Sequence, residues 1–128
     1  MRVVDTSALY ALFVEGDAHH EKAKAAFSMP ESLLVPAEIL AETKELLEYR
    51  HSFDIATRAD AFLAQMANIE VQPSWDDPRD DILGAARAIH SSSQGKLSHC
   101  DAIVVAWCRK RGFLPLAFDK HLIAAAGS

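Results

Sequence analysis

The chain has few of the features that would mark anything other than a small folded domain. Its 128 residues hold two cysteines, Cys100 and Cys108, eight residues apart in one predicted helix. That spacing fits neither a metal site nor a disulfide framework, so a reducing cytoplasm is the expected location. Five glycines and five prolines are scattered along the chain, with no linker rich in either, no internal repeat and no low-complexity tract. No apolar run approaches the roughly 18 residues needed to span a bilayer, so no membrane segment is expected. Met1-Arg2-Val3-Val4-Asp5 meets an acid at once, so no secretory signal peptide is expected either. Positive charge is short: 13 Lys and Arg face 18 Asp and Glu, a net charge of −5. Generic nucleic-acid binders are usually basic. The balance disfavours a simple binding module but not an enzyme in which a divalent cation meets a phosphate.

Hydrophobic residues make up 50% of the chain. At this length they can build one core, so residues 1–128 are expected to form one domain. Residues 2–5 read as a short buried strand, with helical patterning at about 7–14 and 18–28, the second capped by Asp17. Ser32 to Val35 reads as a strand stopped by Pro36. Ile39, Leu40, Leu46 and Leu47 then recur at helical spacing to about Tyr49. Phe53 to Met66 is a further helix and Asn68 to Pro73 alternates as a strand. Asp77-Pro78 should open a helix to about His90. Ser98 can cap a helix to Arg111 that Gly112 ends, and Leu114 to Phe118 is the last strand. Strands alternating with helices predict a parallel sheet covered on both faces, with a site beyond the carboxyl ends of the strands.

Four apolar stretches each carry one acid: Asp5 after Val3-Val4, Glu42 in Ile39-Leu40-Ala41-Glu42, Asp101 before Ala102-Ile103-Val104-Val105, and Asp119 after Leu116-Ala117-Phe118. Removing an ionised carboxylate from water costs several kcal/mol unless something offsets it. Each acid has an ordinary explanation as a helix cap, a helix-start acid, a turn residue or a solvated glutamate. As a set, they suggest a single cation site assembled by folding. Mg²⁺ and Mn²⁺ take oxygen ligands, typically one or two carboxylates with waters and substrate phosphate. Thr6 and Ser7 offer hydroxyls beside Asp5, and Lys44 and Lys120 lie near the motifs as candidate phosphate contacts. Glu38 competes with Glu42, because residues four apart share a helix face.

The segments V-V-D-T-S-A-L, V-P-A-E-I-L-A-E, L-S-H-C-D-A-I-V-V-A-W and L-P-L-A-F-D-K-H-L, in this order, resemble a PIN-domain ribonuclease, in particular a VapC-like toxin of a type II toxin–antitoxin pair. The resemblance covers essentially the whole chain. It implies an α/β fold, an α/β/α sandwich with a central parallel sheet. It also implies Mg²⁺- or Mn²⁺-dependent endoribonuclease activity, RNA as substrate, a homodimer, and silencing by a cognate small antitoxin protein. By position it assigns catalytic and metal-binding roles to Asp5, Glu42, Asp101 and Asp119. Glu42 is preferred to Glu38 because the family places its glutamate six residues after the proline, here Pro36. Two positions depart from the family: Ala117 stands where a Thr or Ser is common, and His121 where a further Asp is common.

Two other function classes remain open at this point: a non-catalytic PIN-fold domain that binds a protein partner, and a metal-dependent phosphohydrolase of small molecules. Arg109-Lys110-Arg111 is expected to complement a helix C-terminus. His19-His20 reads as a solvated helix face, Asp76, Asp77, Asp80 and Asp81 as helix-start acids, and Trp75 and Trp107 as core or interface.

Overall fold

The computed structural model describes residues 1–76 and 79–127. Strands β1 (Arg2–Val4), β2 (Leu33–Pro36), β3 (Ile69–Gln72) and β4 (Leu114–Leu116) form one parallel sheet in the order β3-β2-β1-β4. Helices α1 (Thr6–Phe13), α2 (His20–Phe27), α3 (Ala37–Arg50), α4 (Phe53–Gln65), α5 (Ile82–Ser92), α6 (His99–Arg111) and α7 (Lys120–Ala126), with a 3-10 turn at Ser74–Asp76, complete the regular structure of the described chain. Successive strand side chains point to opposite faces, and the core divides accordingly. Val3 and Leu34 pack with α5, α6 and α7. Val4, Leu33, Val35 and Leu116 pack with α1 and with Phe27 and Leu63 of α2 and α4. The result is the expected α/β/α sandwich.

Helix α6 is the most buried of the described helices, with every residue from Ala102 to Cys108 in the core. Its ends are specified locally. Ser98 Oγ accepts the Asp101 N–H at 3.1 Å while Asp101 Oδ2 accepts the Ser98 N–H at 3.1 Å, a reciprocal capping box. Gly112 closes the helix at φ 69°, a left-handed conformation that costs a residue with a Cβ about 1–2 kcal/mol. Gly112→Ala should therefore lower Tm by roughly 3–8 °C in a thermal melt; an unchanged Tm would mean the cap does not need glycine. The basic residues that follow Cys108 do more than complement the dipole. Arg109 Nε donates to Ala125 O of α7 at 2.9 Å. Arg111 Nε donates to Asp80 Oδ2 at 2.8 Å and its guanidinium lies over the Trp107 ring.

Several expectations are corrected. Helix α5 starts at Ile82, not at Asp77, and Asp81 caps it by accepting the Gly84 N–H; Asp77 and Pro78 lie outside the described residues. The last strand stops at Leu116, and Asp119 then opens α7, a helix too short to announce itself in the pattern. Pro36 does not stop β2 but ends it in register with Gln72 and precedes α3. Asp17 accepts the His19 N–H one turn before α2 rather than capping that helix. Trp107 is buried, but Trp75 is 70% exposed and belongs to no core. None of the described helices is long and apolar enough to cross a membrane.

A candidate metal centre in an acidic cleft

The chain lays down β1, β2 and β3 outward on one side, then crosses back to place β4 on the other side of β1. Ligand sites in open parallel sheets form at such a reversal, beyond the carboxyl ends of the strands. Asp5 follows β1 and Asp119 follows β4. The Asp5 N–H extends the pairing of these two strands by donating to Leu116 O at 3.1 Å. The N-terminus of α6 brings Asp101 to the same edge. A cleft of about 320 Å³ results, lined by Asp5, Thr6, Ser7, Tyr10, Asp17, His19, Leu46, Arg50, Asp101 and Asp119.

Each of the three expected aspartates also takes part in capping a helix, Asp5 and Asp119 as N-caps and Asp101 from within the capping box. Asp5 Oδ1 accepts the Ala8 N–H at 2.8 Å, and Ser7 Oγ donates to both Asp5 oxygens, at 3.0 and 2.8 Å. Asp119 Oδ1 accepts the His121 and Leu122 N–H groups, at 2.7 and 3.1 Å. Asp119 is thus held by backbone donors at the start of α7, one of them from His121 itself. Asp101 is fixed by the capping box. Among the described residues, Asp101 Oδ1 and Asp119 Oδ2 accept no hydrogen bond. Capping therefore orients these carboxylates and leaves each with an uncommitted oxygen.

Asp5 carries the electrostatic strain. It is 2% exposed, and its carboxyl is pushed up from 3.8 to about 6. Burial is the main cause. The Ala8 N–H and Ser7 hydroxyl oppose it, and the charges of Asp101 and Asp119 add to it. Beside it, Thr6 Oγ1 is buried with no hydrogen-bond partner among the described residues. A buried hydroxyl without a partner costs roughly 1–3 kcal/mol.

Glu42 does not line the cleft directly. It lies one helical turn before Leu46 and two before Arg50, which do, so it is on the adjoining stripe of α3. It lies near the Cys100 thiol, which is pushed up to about 12 by burial first and then by the neighbouring carboxylates of Glu42, Asp101 and Glu38. Glu42 and Asp101 therefore flank one thiol. Glu38 is committed elsewhere: it accepts the Ser74 N–H at 3.2 and 3.1 Å and the Ser74 hydroxyl at 2.7 Å, and Trp107 Nε1 donates to that hydroxyl at 2.9 Å. Of the proposed lysines, Lys44 is ion-paired with Asp60 of α4 at 2.8 Å, and Lys120 is an exposed residue beside Asp119.

The sequence reading did not pick out Tyr10, Arg50, Asp17 or His19 as cleft residues. His19-His20 is not a solvated face. His19 is half-buried and stacks on Phe118 with ring centroids 4.6 Å apart, and His20 Nδ1 donates to Ala11 O at 2.7 Å. The i, i+4 series Glu42, Leu46, Arg50 was the available signal for Arg50.

Among the described residues, no three His, Cys, Asp or Glu side chains converge closely enough to cage an ion on their own. The donors present are hard oxygens: uncommitted carboxylate oxygens, a carboxylate destabilised chiefly by its burial, and an orphaned hydroxyl. Such a set fits a cation that takes one or two direct carboxylates and keeps its waters, as Mg²⁺ and Mn²⁺ do. It does not fit a closed cage of nitrogen and sulfur ligands.

Comparisons with known proteins agree with this geometry. The PIN domain family matches residues 2–128. Among solved structures, the Mycobacterium tuberculosis toxin VapC20, described as cleaving the sarcin–ricin loop, is similar with a TM-score of 0.83 and 29% identity over 98% of this chain and 95% of that one. No curated protein matches the sequence significantly.

Proposed function

The chain belongs to the PIN domain family, and from that membership we propose that it is the toxin of a type II toxin–antitoxin pair, an endoribonuclease that hydrolyses RNA phosphodiester bonds. The observation that carries this reading is the convergence of Asp5, Asp101 and Asp119 on one cleft at the β1/β4 reversal. Similarity to VapC20 supports the toxin assignment and makes a structured ribosomal RNA hairpin the first substrate to try. PIN nucleases generally use divalent metal ions. When bound, such an ion activates water and offsets charge developing at the phosphorus. Asp5 and Asp101 would be its direct ligands, with Glu42 and Asp119 completing the site directly or through water. VapC toxins pair with VapB antitoxins, so a cognate antitoxin is the expected protein partner, and a homodimer and cytoplasmic location complete the proposal.

The chain's own residues do the positioning. Ser7 and the Ala8 N–H hold Asp5 rigid, so it meets a ligand without reorganising. The caps of α6 and α7 aim the free oxygens of Asp101 and Asp119. At neutral pH the mutual repulsion of these carboxylates favours whatever brings positive charge among them.

The test is cleavage of an RNA hairpin by the purified protein in Mn²⁺ or Mg²⁺, with Asp101→Asn and Asp119→Asn in parallel. Wild-type cleavage that stops on chelation, and a loss of roughly 10²-fold or more in each variant, are expected. Full activity in both variants would overturn the site.

A further inference from the structure

Among the described residues, four aspartates line the cleft, together with one Lys or Arg side chain, Arg50. Arg50 is the last residue of α3 and is exposed. An arginine beside carboxylates ordinarily folds onto one of them. Arg50 does not. Its directed contact is the face of Tyr10, with the guanidinium carbon 5.5 Å from the ring centroid, and no ion pair or hydrogen bond of its N–H groups is found among the described residues. Tyr10 is held in turn from outside the cleft: its Oη and His51 Nε2 are hydrogen-bonded at 3.0 Å, with the two rings tilted at 42°. A flexible cation is thus parked on an aromatic platform with its donor edge open, against the pull of the acids.

The other basic groups are poorly placed to compensate. Lys44 is paired with Asp60, and the C-terminal arginines of α6 are bonded to Ala125 and Asp80, roughly 12–15 Å along the helix from Asp101 at 1.5 Å per residue. Lys120 is exposed beside Asp119 but does not line the cleft, so within it a polyanion meets the repulsion of the aspartates except at the ion and at Arg50. The planar guanidinium fork suits bidentate binding of a phosphate. We propose that Arg50 seats the RNA backbone by contacting a phosphate beside the one to be cleaved, with Tyr10 and His51 as the residues that position it. The inference rests on the nuclease reading and identifies how an acidic chain accepts an acidic substrate.

The experiment is steady-state cleavage of an RNA oligonucleotide in Mn²⁺ at several salt concentrations. It compares wild type, Arg50→Ala, Arg50→Lys, Tyr10→Phe and Tyr10→Leu. Arg50→Ala should raise KM about tenfold, the order of one charge-assisted hydrogen bond, with kcat within about threefold of wild type. The slope of log(kcat/KM) against log[salt] should become shallower by about 0.7, one phosphate contact on a single strand. Arg50→Lys should restore the slope but only part of the affinity. Tyr10→Phe, which keeps the ring but loses the bond to His51, should raise KM about two- to threefold, and Tyr10→Leu, which removes the platform, should raise it further; both should keep the slope. Mn²⁺ affinity should be the same in all five. A wild type that cleaves while Arg50→Ala shows unchanged KM and salt slope overturns this inference and leaves the nuclease reading standing. A fall in kcat alone also overturns it. A wild type that does not cleave RNA overturns both.

Discussion

Replacing Asp5 by Asn should destroy cleavage and stabilise the metal-free protein at the same time. The loss of activity should be about 10³-fold, because the most buried carboxylate of the centre is removed. The stability effect has the opposite sign for a reason visible in the fold. The folded state holds the Asp5 carboxyl at about 6 against 3.8, so between those values it binds more protons than the unfolded chain. Stability then falls as pH rises through that window. About two pH units correspond to about 3 kcal/mol, fully felt above pH 7 and absent below pH 4. Asn keeps the oxygen that caps α1 but cannot ionise. Urea unfolding without metal should find Asp5→Asn more stable than wild type by about 2–3 kcal/mol at pH 8 and equal to it near pH 4. Mn²⁺ should then raise the stability of wild type more than that of the variant, in proportion to binding. A wild type at least as stable as the variant at pH 8 would contradict the strained-carboxylate account.

The second large effect separates two glutamates that the sequence places on one helix face. Glu42→Gln should lower kcat roughly 10–100-fold, as loss of a metal-site support does, with Tm unchanged because the amide keeps the size of a half-buried side chain. Glu38→Ala should do the reverse. It strips Ser74 of the acceptor for its N–H and hydroxyl, beneath the buried Trp107. Leaving such donors unpaired costs about 1–3 kcal/mol, or roughly 4–12 °C in Tm, while cleavage at a temperature where the protein is folded should persist. Melting curves and single-turnover cleavage of both variants would decide it. Glu38→Ala that is stable but inactive would move the catalytic role from Glu42 to Glu38.

Much of this protein was determined by its sequence alone, because the signals are local. The alternation of short apolar runs with helical periodicity specified a parallel sheet clothed on both sides. Ser98 and Gly112 marked both ends of α6 through chemistry within a few residues. The acids attached to core-forming runs stood out because burying charge is costly wherever it occurs. Local signals also misled. The ordinary alternative for Asp119 was a turn acid rather than a helix cap, because the two buried residues of α7, Leu122 and Ala126, are too few to show a period. The pattern at Asp77 opened α5 several residues early.

What only the tertiary structure decided depends on which elements become neighbours. Asp5 and Asp119 lie at opposite ends of the chain and meet because β4 returns beside β1, a choice made by packing of the whole sheet. Glu38 and Glu42 are equivalent by spacing, and Ser74, from beyond β3, distinguishes them by binding one. Nothing in the sequence singled out Arg50, which gains its setting only when Tyr10 of α1 packs beneath it and the acids come before it. Periodicity and capping are written within a few residues of the chain, whereas the electrostatics of a cleft is a property of groups that only the completed fold brings together.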